Sequence, residues 1–212
     1  MKLNLSPTQQ IIVDHGDGAL LVKAGPGSGK TRVLIERIKK LLRTKKRCKI
    51  LALTFSNLAA EEMKTRLLED PTIEDYVENV TVCTIHSFCL DIVQTRGNLI
   101  GLGTDLVLFE DANDRQTVLR DVFHTDTELL SLLNRQDKPD VFLSKCLNLI
   151  TEQKKKFISP ELCDVNEPFP RIYNGYNQYL LEQNAIDYDD ILFYAYRILS
   201  ENPSVVRLYT SL

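Results

Sequence analysis

Apolar residues recur along this chain in two rhythms. Over residues 19–97, short apolar runs at 19–23, 49–55 and 80–85 alternate with helically spaced stretches at about 30–42, 57–69 and 86–96. In the first of these stretches Val33, Leu34, Ile38, Leu41 and Leu42 fall on one side of a 3.6-residue period. Runs that alternate in this way need crossover connections, so the pattern predicts a parallel sheet with flanking helices. Beyond the glycine-rich turn at 97–103 and an apolar run at 106–109, the spacing is helical almost throughout. Segments near 112–124, 128–135, 140–156, 171–183, 187–200 and 203–211 are punctuated by Pro139, Pro160, Pro168, Pro170 and Asn184. The pattern predicts an α/β class with an all-helical section set into it, without internal repeats.

Composition narrows the setting. A chain of 212 residues, 43% hydrophobic and 26% charged, has the make-up of an ordinary globular protein with one large domain or a core domain and an insertion. Its five cysteines are odd in number and follow no disulfide framework, which points to a reducing, cytoplasmic compartment. The N-terminal residues lack an apolar signal core, and no run approaches the length of a membrane span, so no membrane partner is expected. A net charge of -3 excludes an all-over positive field but allows a local basic groove. Two basic clusters, Lys39 to Lys49 and Lys154-Lys155-Lys156, read first as solvated faces whose charges complement helix C-termini.

The most chemically specific segment is Ala24-Gly25-Pro26-Gly27-Ser28-Gly29-Lys30-Thr31-Arg32, between the first apolar run and the first helical stretch. Strand, glycine-rich turn, then Lys-Thr opening a helix is the chain order of a phosphate-binding P-loop. Glycines at 25, 27 and 29 let backbone N–H groups approach phosphate oxygens. Lys30 supplies a charge for the β- and γ-phosphates and Thr31 a hydroxyl for magnesium, while the following helix aims its positive end at the same place. Ala24 stands where the usual pattern has its first glycine.

Further motifs stand around this loop in a fixed order. Leu5-Ser6-Pro7-Thr8-Gln9-Gln10 resembles the Q motif of superfamily 1 helicases of the UvrD/PcrA/Rep type, and 24–34 resembles their motif I, with Arg32 directly after the threonine. Residues 51–63 are similar to motif Ia and Val82-Cys83-Thr84-Ile85-His86-Ser87-Phe88 to motif Ib, while 186–192 resembles the acidic stretch near the return from the helical insertion. This resemblance implies a RecA-like P-loop NTPase domain, 1A, spanning 1–103 and 186–212, interrupted at 104–185 by a helical 1B-like subdomain. It implies ATP and Mg2+ as cofactors, with Gln9 reading the adenine edge and Arg32 lying on the adenine face. It further implies single-stranded DNA and single-strand/duplex junctions as partners. Thr54, Ser56 and Asn57 would donate to phosphates, Phe55 would offer a ring to a base, and Thr84, His86 and Ser87 would form a polar helix start for a phosphate. Leu58 replaces the lysine usual in motif Ia.

Two groupings are decoys for metal chemistry. Cys83, His86 and Cys89 lack a fourth ligand for zinc. Residues 106–111, an apolar run ending in Glu110 and Asp111, imitate a magnesium-holding strand but stand where the resembled family enters its helical insertion. Asp187, Asp189 and Asp190 read as helix N-terminal acids, Asp187 as the cap. The family's acidic motif II is expected beyond Leu212, along with the second RecA-like domain. The resemblance therefore implies the N-terminal part of a 3′-to-5′ DNA helicase, with the isolated chain unable to hydrolyse ATP efficiently. Two other readings remain: a complete small P-loop NTPase or nucleotide kinase using Glu110 or Asp111, or a non-catalytic module that binds nucleotide or a partner.

Overall fold

The computed structural model describes residues 5–45 and 48–210, so Lys46 and Arg47 of the first basic cluster lie outside the described residues, as do Ser211 and Leu212. The chain forms two compact units that divide between Ile85 and His86.

In the first unit, α1 (Pro7–Asp14) opens with a reciprocal cap. Ser6 Oγ accepts from the Gln9 N–H at 3.2 Å and Gln9 Oε1 accepts from the Ser6 N–H at 3.0 Å, with Pro7 preset for the first helical position. Helix α2 (Lys30–Thr44) follows the glycine-rich loop and buries Val33, Ile35, Ile38 and Leu42. Strand β1 (Ile50–Thr54) leads to α3 (Asn57–Leu68), capped by Ser56 and burying Ala60, Met63 and Leu67 at helical spacing. A 3-10 segment, Pro71–Asn79, then leads to β2 (Val80–Thr84). β1 and β2 pair in parallel, Ile50 opposite Val80 and Thr54 opposite Thr84. Ala52 and Val82 face a core shared with α2, α3 and Ile73, while Leu51 and Leu53 alternate to the other face and are exposed.

The second unit runs from α4 (Ile85–Arg96) through β3 (Val107–Phe109), α5 (Ala112–Thr125), α6 (Thr127–Asn134), α7 (Pro139–Lys155), α8 (Phe169–Glu182), β4 (Ala185–Asp187), α9 (Tyr188–Glu201) and α10 (Pro203–Thr210). It holds two apolar clusters. One draws Leu119, Phe123, Leu143, Ile150, Tyr173 and Tyr176 from α5, α7 and α8; the other draws Ile92, Val93 and Leu106 together with Ile186, Ile191, Ile198 and Val205. β3 and β4 pair in parallel, Val107 opposite Ala185 and Phe109 opposite Asp187, so the two ends of the intervening helical stretch are held side by side. No helix among the described residues is long and apolar enough to cross a membrane.

The structure departs from the pattern in four places. The run at 19–23 is not a strand: it has no ladder partner among the described residues, and Leu20, Leu21 and Val22 are exposed, Leu21 at 81%. A buried strand of a parallel sheet needs a neighbour to bond and elements over both faces, and the described sheet has only β1 and β2. Residues 71–79 form a 3-10 segment, and β4 is a strand of three residues, too short for its alternation to be read from sequence. Lys154 is not part of a solvated face: it is 1% exposed. It follows Ile150, Cys146 and Leu143 on the buried side of α7, so the helical period carries it inward.

Lys154 is buried because it is paired. Its Nζ lies 3.0 Å from Asp187 Oδ2 and 2.7 Å from Asp190 Oδ1. Arg115 stands on the other side, its Nε 3.3 Å from Asp187 Oδ2 and its Nη1 3.2 Å from Asp189 Oδ2, and the Tyr176 hydroxyl donates to Asp187 Oδ2 at 3.0 Å. Asp187 and Asp190 also form a reciprocal cap for α9, each side chain accepting from the other's N–H. The expected capping role is therefore present, and the same carboxylates neutralise an ammonium from α7. Burial alone would raise the Asp187 carboxyl, but Lys154 and Arg115 outweigh it and hold it below the ordinary carboxylate range. At Asp190, burial and the Asp187 charge prevail over Lys154 and push the carboxyl up to about 7.

Candidate nucleotide-binding site

A cleft of about 520 Å3 in the first unit is lined by Gln9, Ile12, Leu20, Val22, Ala24, Ser28, Lys30, Val33, Leu34 and Arg37, among others. Of the glycine-rich segment, Ala24, Ser28 and Lys30 line it. Gly27 at φ 71° and Gly29 at φ 81° lie in the left-handed region, which lets the chain turn and enter α2 with Gly29 as its N-cap. A Cβ at Gly25 or Gly27 would meet nothing within 4 Å, so these positions face open space; at Gly29 it would come within 3.1 Å of Gln9 Nε2.

Two side chains of this segment bond to its own carbonyls. Lys30 Nζ donates to the Ala24 carbonyl at 3.1 Å and the Gly25 carbonyl at 2.8 Å, and Ser28 Oγ donates to the Gly25 carbonyl at 2.7 Å. The ammonium is thus folded over the loop at the N-terminal end of α2, where helix dipole and backbone N–H groups favour an anion. A phosphate there offers Lys30 stronger, charge-assisted partners than the carbonyls. Thr31 is exposed on the first turn of α2 and is not among the residues lining the cleft. No carboxylate is among the described residues lining the cleft.

Gln9 lies at the rim, its Nε2 donating to the Ser28 carbonyl at 3.1 Å and its Oε1 accepting from Ser6. One donor and one acceptor site of the amide are used, leaving the second of each for a ligand. Arg32 is not among the residues lining the cleft; it is half-buried, with Nη2 enclosed and lacking a hydrogen-bond partner. Arg37 was not singled out by sequence, since an arginine on an amphipathic helix carries no signature, yet it forms part of the wall.

The remaining predicted residues fall at strand ends. Thr54 Oγ1 donates to the Ser56 carbonyl at 3.0 Å, and Ser56 caps α3 by accepting from the Ala59 N–H at 3.2 Å. Phe55 is 98% exposed, which rules out core packing for its ring, and Asn57 and Leu58 beside it are exposed as well. Thr84 ends β2 and is almost fully buried. In the second unit His86 stacks on Tyr188, ring centroids 4.6 Å apart and planes 18° from parallel, with Tyr188 45% exposed; Ser87 is exposed on α4. Tyr188 was missed because its neighbours Asp187, Asp189 and Asp190 dominate that motif. Among the described residues no group of His, Cys, Asp and Glu is arranged to hold a metal ion, so Cys83, His86 and Cys89 form no such site. Asp111 caps α5, accepting from the Asn113 N–H at 2.7 Å, and the strand before it pairs with β4 in the second unit.

Fold and cleft together define a class: a helix-rich α/β protein with small parallel sheets and a glycine-rich loop that opens a helix at an anion-favouring site. The UvrD/REP helicase N-terminal domain matches the chain over residues 5–211. The chain belongs to that family. Among its relatives are the ATP-dependent DNA helicases PcrA of Staphylococcus aureus (strain Mu50) and Staphylococcus epidermidis (strain RP62A), each 30% identical over 210 residues. These alignments cover 97% of this chain and 28% of each relative, so the chain spans little more than a quarter of their length.

Proposed function

We propose that this chain is the ATP-gripping part of an ATP-dependent DNA helicase that moves 3′-to-5′ along single-stranded DNA and separates duplex ahead of it. The observation that carries the reading is the loop itself: left-handed Gly27 and Gly29 turn the chain into α2, Lys30 is folded over the loop carbonyls, and Ala24, Ser28 and Lys30 line one cleft. Lys30 neutralises phosphate charge, the Gly25 to Gly29 backbone cradles the phosphates, and Thr31 holds Mg2+ through its hydroxyl. When bound, Mg2+ supplies charge neutralisation on the phosphate oxygens. Gln9 reads the adenine edge with its unused donor and acceptor, and Arg32 turns its enclosed guanidinium to the adenine face.

In this reading residues 1–103 and 186–212 belong to a RecA-like domain and 104–185 to a 1B-like insertion. One apolar cluster is confined to residues 118–185 and another joins residues 92–106 to residues 186–205, which supports an insertion between the two joined segments. Phe55, fully open at the end of β1, and His86 contact single-stranded DNA, together with Thr54, Ser56, Asn57, Thr84 and Ser87. The acid that completes magnesium binding and water activation belongs to another part of a longer, cytoplasmic protein.

Fluorescent ATP-analogue titration with magnesium tests the grip. Lys30→Ala is expected to weaken binding about tenfold or more, as loss of a charge-assisted phosphate contact does, and equal affinity in the variant overturns the proposal. In a phosphate-release assay the isolated chain is expected to show no DNA-stimulated turnover; robust turnover that Lys30→Ala abolishes would mean that the catalytic acid lies within these residues.

A further inference from the structure

The cleft has a wall, α1, that carries Gln9, and is lined also by Ala24, Ser28 and α2. One side chain fastens the C-terminal end of that wall to α2. Arg37, on α2, sends its guanidinium to the end of α1 and donates to four carbonyls there: Nη1 to Ile12 at 3.2 Å, Val13 at 3.4 Å and His15 at 2.7 Å, and Nη2 to Gly16 at 3.2 Å. The Ile12 carbonyl already accepts from the His15 N–H, but carbonyls at a helix C-terminus are in general short of intrahelical partners and carry the negative end of the dipole, so a cation placed among them is favoured. The fork geometry of arginine lets one side chain span several acceptors, which a lysine ammonium cannot do equally.

Other ties between α1 and its surroundings are weaker or at the opposite end. Lys40 meets Asp14 at 2.6 Å, but both side chains are more than two-fifths exposed, and exposed pairs contribute little. At the other end Gln9 Nε2 reaches the Ser28 carbonyl, a single bond that a ligand competes for. Arg37 itself lines the cleft beside Ile12 and Leu34.

We infer that Arg37 is a positioning residue for nucleotide selectivity: it fixes α1, and with it Gln9 and Ile12, over the glycine-rich loop, so that the base half of ATP is bound while the phosphate half depends on Lys30 and the loop alone. This rests on the proposal that the cleft binds ATP. It assigns Arg37 no contact with phosphate.

The test separates the two halves of the ligand. Affinities of the chain for ATP and for inorganic tripolyphosphate, both with magnesium, are measured by calorimetry for the parent, Arg37→Ala, Arg37→Lys and Lys30→Ala. The expected result is ATP binding weakened about tenfold in Arg37→Ala, from loss of several charge-assisted bonds, with tripolyphosphate affinity within about twofold of the parent and Arg37→Lys in between. Retained tripolyphosphate binding itself reports an intact loop. If Arg37→Ala and Arg37→Lys lose both ligands equally, or if Arg37→Ala keeps both, the inference is overturned. A parent that binds ATP no better than tripolyphosphate overturns it too, while leaving the phosphate grip standing. A parent that binds neither, or a Lys30→Ala variant unchanged for both, removes the ATP-site proposal and the inference with it.

Discussion

Lys154→Met is the sharpest perturbation that the fold offers. Methionine keeps the length of the stem and removes the ammonium, so the change is electrostatic more than volumetric. In the parent chain Lys154 and Arg115 share Asp187, Asp189 and Asp190, and the Lys154 ammonium is the cation at both Asp187 and Asp190. Without it Arg115 alone faces Asp187 and Asp189, and Asp190, fully buried, loses its counter-ion. Removing one partner of a buried ion pair costs about 3–5 kcal/mol where the other charge stays desolvated; the low end of that range is expected here, because Asp187 keeps Arg115 and Asp190 can take up a proton. With an m-value of about 2 kcal/mol/M in urea, that is a midpoint shift of about 1.5 M. Tyr173, Tyr176 and Tyr194 are buried in this unit, so near-ultraviolet circular dichroism follows its unfolding. Lys155→Met is the control: Lys155, next to Lys154 on α7, is exposed, and surface changes are usually within about 0.5 kcal/mol. If both variants melt within about 0.3 M of the parent, the burial and pairing argued for Lys154 are wrong.

Two further outcomes follow from the same geometry. Asp190, with its carboxyl raised to about 7, binds a proton in the folded chain that the unfolded chain has released, so its contribution to stability falls as pH rises from about 4 to 7; Asp190→Asn should flatten that decline in urea midpoints measured across the range, and an unchanged slope would refute the assignment. Phe55→Ala and His86→Ala should each weaken single-stranded DNA binding in anisotropy titrations, by about 1–3 kcal/mol for a lost base stack, without lowering thermal stability in the case of the fully exposed Phe55; binding as tight as the parent's would count against this placement.

What could be read directly from sequence was what short-range physics decides. Helical period placed α2, α3 and α5 to α9 to within a few residues, and Asp187 lies where capping chemistry puts it. The glycine-rich loop was legible because its backbone angles demand glycine at 27 and 29 wherever the rest of the chain goes. Tertiary structure decided everything that depends on what arrives from a distance. Residues 19–23 have the apolar composition of a strand, yet a strand exists only where another edge bonds it, and none does so among the described residues. Lys154 reads as one of three surface lysines until Asp187 and Asp190, more than thirty residues along, neutralise it. Arg37 gains its role only when α1 and the two residues after it present four carbonyls to it. Local preference is written in neighbouring residues; the partner that turns a charge into a buried pair, or an arginine into a brace, is set by folding.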